Sequence, residues 1–177
     1  VEDNPIVFVD DKTLLKALKS NFDDYYTTFF DYDLFARKVN SIEQYLDLIS
    51  NSVSTFTEIE KSKVIECTKR CDDKLRTIKL EWFDGIKASM LKWKIGKVAG
   101  VLYEMGLPHT RGDMIIISDK NLKDDISTLT RTLFHEKVHL YQKQYKKDVS
   151  RYLTVNGFSK IKKREYKDLI RANPDLD

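Results

Sequence analysis

The chain has 177 residues, of which 41% are apolar and 33% charged, which suits a single domain able to bury a sizeable core. Its net charge of +3 is too small to argue for nucleic acid by itself, and with only 6 glycines and 3 prolines a loop-rich or all-β design is disfavoured. No apolar run approaches the length of a membrane span, and no signal-peptide pattern opens the chain. The first residue is Val1 and the last stretch, Ala172 to Asp177, carries no structural stop, as expected of a fragment or processed product.

Ile6-Val7-Phe8-Val9 reads as a short strand, with Asp10 and Asp11 as caps for an amphipathic helix carrying Leu14, Leu15 and Leu18. The aromatic stretch from Asp23 to Tyr32 could touch a membrane or partner, but packing a helical subdomain is the ordinary use of clustered rings. Leu34, Phe35 and Val39 continue a helix, and Ser41 opens the next, followed by Tyr45, Leu46, Leu48 and Ile49. From about Thr57 to Ile78 a long helix presents Ile59, Val64, Ile65, Cys67, Cys71, Leu75 and Ile78 as its apolar stripe. Cys67 and Cys71, four apart on that helix, do not suit disulfide geometry and make a poor zinc site alone. Reduced thiols in a cytosol-like compartment are therefore expected.

Trp82-Phe83-Asp84-Gly85 breaks the helical pattern, and Trp93 to Val98 alternates well enough for a strand. Residues 103–113 form the main loop, with His109 and Arg111 in it, leading into the β-branched run Met114-Ile115-Ile116-Ile117. No Gly or Pro interrupts residues 121–150. Asn121, Asp124, Asp125 and Ser127 are candidate N-caps, and Ile126, Leu129, Leu133, Phe134, Val138, Leu140 and Tyr141 recur at helical spacing.

On that helix lies His135-Glu136-Lys137-Val138-His139. Two histidines one turn apart share a face, so both can reach one Zn²⁺. Glu136, offset around the helix, can miss the metal and still reach a water that the metal has made acidic, which suits a general base. A strand followed by a helix bearing His-Glu-x-x-His resembles the zincin metallopeptidases, and the resemblance implies zinc-dependent peptide hydrolysis with His135 and His139 as ligands and Glu136 as base. It is specific for residues 114–140 and absent for residues 1–80.

A catalytic zinc usually has three protein ligands. The metzincin pattern fails, since Gln142 and Tyr145 stand where its glycine and last histidine belong. Resemblance to the gluzincins implies a carboxylate from a later helix. Glu165 is a candidate there, Asp168 sits nearby, and His109 or a residue beyond Asp177 are the alternatives. His109 or Arg111 could instead stabilise the oxyanion, or simply cap a turn.

Two other functions compete. A zincin scaffold that has lost catalysis would be a binding or structural protein. The basic residues Lys143, Lys146, Lys147, Lys160, Lys162, Lys163, Arg164 and Lys167 could guide a protease to protein on nucleic acid, as in the SprT-like proteases, though a solvated face is their ordinary reading. Those proteases use a third histidine after the motif, and none follows His139 here. The expected architecture is α+β and predominantly helical: an N-terminal helical region over 1–80, then a zincin-like region over 81–177 with a small sheet and an active-site helix. The expected partner is a protein or peptide substrate.

Overall fold

The sheet is built from short apolar runs far apart in the chain. In the computed structural model, which describes residues 5–20 and 22–159, β1 (Ile6–Phe8), β2 (Val53–Ser54), β3 (Trp93–Val98), β4 (His109–Arg111) and β5 (Met114–Ser118) form one mixed sheet. The order is β1-β3-β5-β4, and β2 pairs antiparallel with the last residues of β3. β1, β3 and β5 run parallel, with Ile6 opposite Trp93 and Ile95 opposite Ile115. β4 returns antiparallel to β5 through the turn Gly112-Asp113. Gly112 stands at φ +58°, a left-handed value that suits the first position of a two-residue hairpin turn, and a Cβ there would strike the Phe22 ring.

Helices cover both faces of the sheet. α1 (Asp11–Lys19), α2 (Asp31–Ala36) and α3 (Ile42–Ser50) pack on one, where Met114 and Ile116 join Leu14, Leu18, Tyr45 and Ile49. α4 (Glu58–Arg76) covers the other, where Ile115 and Ile117 join Trp93, Ile95, Val64 and Cys67. The alternation of side chains along β5 is what splits the core in two. α5 (Gly85–Ser89) and α6 (Asp119–Lys123) are short, α7 (Ile126–Gln144) packs along α4, and α8 (Lys146–Val155) buries no side chain. The protein is thus a predominantly helical α+β fold. Strands from residues 1–80 and from 81–177 share its one sheet.

Local chemistry sets the helix starts. Asp10, Ser41 and Asp125 cap α1, α3 and α7 by accepting the N–H three residues on, and Thr57 with Glu60 forms a reciprocal capping box on α4. Of the four candidate caps before the histidine helix, Asp125 is the one that starts it, and the uninterrupted stretch 121–150 holds the end of α6, all of α7 and the first half of α8. Asp125 adopts an extended backbone to cap α7, and Tyr145 leaves helical geometry before α8. The stripe of α4 also differs. Ile59 and Ile65 are 83% and 49% exposed, while Thr68 and Asp72 are buried. The line Val64, Cys67/Thr68, Cys71/Asp72, Leu75 follows the 3.6-residue period, and Ile65 falls about 100° off it. Both cysteines are free and face α7, Cys71 Sγ donating to Thr130 O at 3.2 Å, and burial pushes the Cys71 thiol up to about 12.

Of the clustered aromatics Tyr25 and Tyr26 are buried, and Phe29 meets Tyr25 and Tyr45 edge-on at 5.0 and 5.2 Å, while Tyr32 is 55% exposed. Among them runs a buried ion pair. Arg37 Nε and Nη2 donate to both oxygens of Glu104 at 3.0 and 2.8 Å, and Tyr45 Oη donates to the same carboxylate at 2.6 Å. Burial raises the Tyr45 phenol well above its ordinary value, so it stays a donor. Glu104 and its neighbour Met105 stand at φ +46° and +57°, a region that residues with a Cβ seldom adopt.

Candidate metal centre

α7 is docked so that one sector faces outward. Leu129, Leu133 and Leu140 pack into the cluster of Ile115 and Ile117. Lys137 is fully buried, its ammonium 3.8 Å from the centroid of the Trp93 ring and donating to Leu91 O. The Tyr141 ring meets Phe83 at 4.6 Å, and its hydroxyl accepts from Asp84 N at 3.1 Å. These contacts span one arc of about 120° around the helix and fix its rotation. The remaining sector carries His135, exposed, and His139, half-buried.

The two imidazoles face each other, ring centroids 4.6 Å apart, with their Nε2 atoms 2.9 Å apart. Two zinc–nitrogen bonds of about 2.0–2.1 Å at a tetrahedral angle put the nitrogens about 3.3 Å apart, close to this approach. The donor chemistry therefore fits one Zn²⁺ between His135 and His139. Gln142 adds a contact that the motif did not announce. Its Oε1 accepts from His139 Nδ1 at 2.9 Å, which leaves the lone pair of that ring on Nε2. Only the spacing of three residues along the helix hinted at it. Gln142→Ala is expected to weaken zinc binding about 10–100-fold, read by competition with a chelating indicator. Unchanged affinity would mean that the amide does not orient the ring.

Glu136 is 2% exposed and lies in the stripe of Leu129, Leu133 and Leu140. It is turned roughly 60° around the helix from His139, between the histidine sector and the sheet. Among the described residues, no group of three or more His, Cys, Asp or Glu converges on a common point. Glu165 and Asp168 lie outside the described residues.

His109 and Arg111 are on β4, not on the loop expected over 103–113, and of the roles expected for His109 the one the structure keeps is bonding a neighbouring backbone group. His109 Nδ1 donates to Leu107 O at 2.9 Å, and its ring packs against Tyr103. Arg111 forms a bidentate pair with Asp23 and donates to Tyr103 Oη at 3.2 Å. Both side chains join the core of Tyr103, Met114 and Ile116, on the face of the sheet opposite α7, so neither is a metal ligand or an oxyanion donor. In place of those roles Arg111 ties the Phe22–Tyr25 segment to the edge of the sheet, and His109 is held by Leu107 O and the Tyr103 ring.

Of the basic residues after the motif, Lys143 donates to Thr110 O at 3.2 Å, and Lys146 and Lys147 are exposed at the start of α8. Lys160, Lys162, Lys163, Arg164 and Lys167 lie outside the described residues. No helix among the described residues is long and apolar enough to cross a membrane. No family model matches the chain, and comparison with curated proteins and with solved structures finds no match.

Proposed function

We propose that the chain is a zinc-dependent metallopeptidase centred on His135, Glu136 and His139. The observation that carries this reading is the pair of imidazoles with Nε2 atoms 2.9 Å apart on a helix locked by its packing, with a buried carboxylate beside them. A zinc ion held there supplies Lewis acidity, lowering the pKa of water and polarising the scissile carbonyl. Glu136 takes the proton of the attacking water and passes it to the leaving amine as the C–N bond breaks. Burial among leucines keeps that carboxylate in one place, which a base working over a single turn of helix requires. Gln142 keeps His139 in the tautomer that can bind metal. Glu165 and Asp168 are the candidates for a third ligand, in the manner of the gluzincins rather than the metzincins.

The test is cleavage of an unstructured protein, with new termini mapped by mass spectrometry. Hydrolysis that a chelator stops and added zinc restores is the expected result. Zinc binding with no cleavage of any substrate would turn the reading to a binding protein on the same scaffold.

A further inference from the structure

Beyond the histidines, toward the C-terminal end of α7, the surface opens into a cavity of about 450 Å³. Phe22, Leu91 and Leu140 give it an apolar lining, and Lys92, Lys143 and Lys146 also line it, the Lys143 ammonium donating to Thr110 O. Two carboxylates also reach it, but each is already engaged by a cation outside the lining. Asp23 accepts from Arg111 Nη2 at 2.8 Å and Asp113 from Lys94 Nζ at 3.1 Å. Lys92 and Lys146 are exposed and make no ion pair among the described residues. The cavity therefore carries an excess of positive charge over an apolar floor.

Its place on α7 gives this charge a use. Leu140 follows His139 directly, Lys143 lies one turn further along nearly the same face, and Lys146 stands just past the helix end. At 1.5 Å per residue, Lys143 is about 6 Å from His139 along the axis, and Lys146 follows the break at Tyr145. An extended peptide advances about 3.3 Å per residue, so it covers that span in two to three residues.

Resting on the metallopeptidase reading, we propose that this cavity is a substrate subsite for an acidic side chain, taking Asp or Glu two to three residues from the scissile bond. The carboxylate meets the lysines while its methylene stem and the neighbouring peptide lie on Phe22, Leu91 and Leu140. A nucleic acid is the less fitting occupant. Its phosphates form a regular track and call for a row of cations along it, whereas these three lysines converge on one concavity with an apolar floor.

The experiment is fluorescence anisotropy of labelled ten-residue peptides on the Glu136→Gln protein, with and without zinc. Peptides carrying Glu and Asp are compared with otherwise identical peptides carrying Gln and Asn, and with a single-stranded oligonucleotide of the same charge. The acidic peptide is expected to bind about tenfold tighter than the neutral one, since each exposed lysine pair contributes a factor of a few. Lys92→Gln/Lys146→Gln, two exposed positions whose change leaves the core untouched, should bring the acidic peptide down to the neutral peptide's affinity. Equal binding of the two peptides, a preference that survives the double substitution, or tighter binding of the oligonucleotide would overturn the proposal. Cleavage of the peptides by the zinc-loaded parent is read separately. Acidic preference without cleavage would sink the peptidase reading alone, and cleavage without preference would sink the subsite alone.

Discussion

Glu136→Gln is expected to leave zinc bound and to lower peptide hydrolysis by about 10²–10⁴-fold, the usual worth of a positioned general acid–base group. The two effects separate because Glu136 lies off the histidine sector of α7, in the stripe that faces the sheet. In the proposed reading it takes part in proton transfer and not in holding the ion. Glutamine matches the carboxylate in volume, so the stripe keeps its packing and the helix its rotation. An alanine here would confound the result, because it would leave a void beside Leu133 and Leu140. The assay compares turnover at equal zinc content. Turnover within a few fold of the parent would show that some other group accepts the proton.

Arg37→Met is expected to destabilise the fold by about 3–5 kcal/mol, measured by urea denaturation, because it strands a buried carboxylate. The side chains of Arg37 and Glu104 are 6% and 2% exposed, and the Tyr45 hydroxyl would be left donating alone to a full negative charge among the described residues. Against a total stability of about 5–15 kcal/mol, that loss is large. Glu104 also stands in the left-handed region, where a residue with a Cβ is strained. The double substitution Arg37→Met/Glu104→Gln should recover much of the loss, because an apolar pair in place of an ion pair removes the desolvation cost as well as the attraction. A single substitution as mild as the double one would show that water already reaches Glu104. Since the ion pair belongs to the layer of α1–α3 and the histidines to α7 on the opposite face, zinc content per folded chain should be the same in all three proteins.

What could be read in the residues was local. The capping residues Asp10, Ser41 and Asp125, the strand at Met114–Ile117 and the one-turn spacing of His135 and His139 all depend on neighbours within four positions, and the structure keeps them. Partnerships over long separations were invisible. Arg37 meets Glu104 across 67 positions and Asp23 meets Arg111 across 88, so charges that look like surface in the sequence are core in the fold. The same blindness put His109 on a loop near the cleft. Three residues of β4 gain their strand character from pairing with β5, not from their own propensity, and the pairing register turns His109 and Arg111 away from α7. Lys137, inside the motif itself, is buried against Trp93, 44 positions away in the chain, a contact its neighbours along α7 do not announce. The break between α7 and α8 has no Gly or Pro to announce it, because Tyr145 packs on Tyr141 and leaves helical geometry without either.

The most direct test of the account is zinc content by elemental analysis of the purified protein, set beside His135→Ala and His139→Ala. The account predicts one zinc per chain in the parent and its loss in either variant, with the fold retained because the histidines lie on the outward sector of α7 and not in the core. No zinc in the parent, or zinc that survives both substitutions, would contradict it and leave His135 and His139 as two surface histidines on a packed helix.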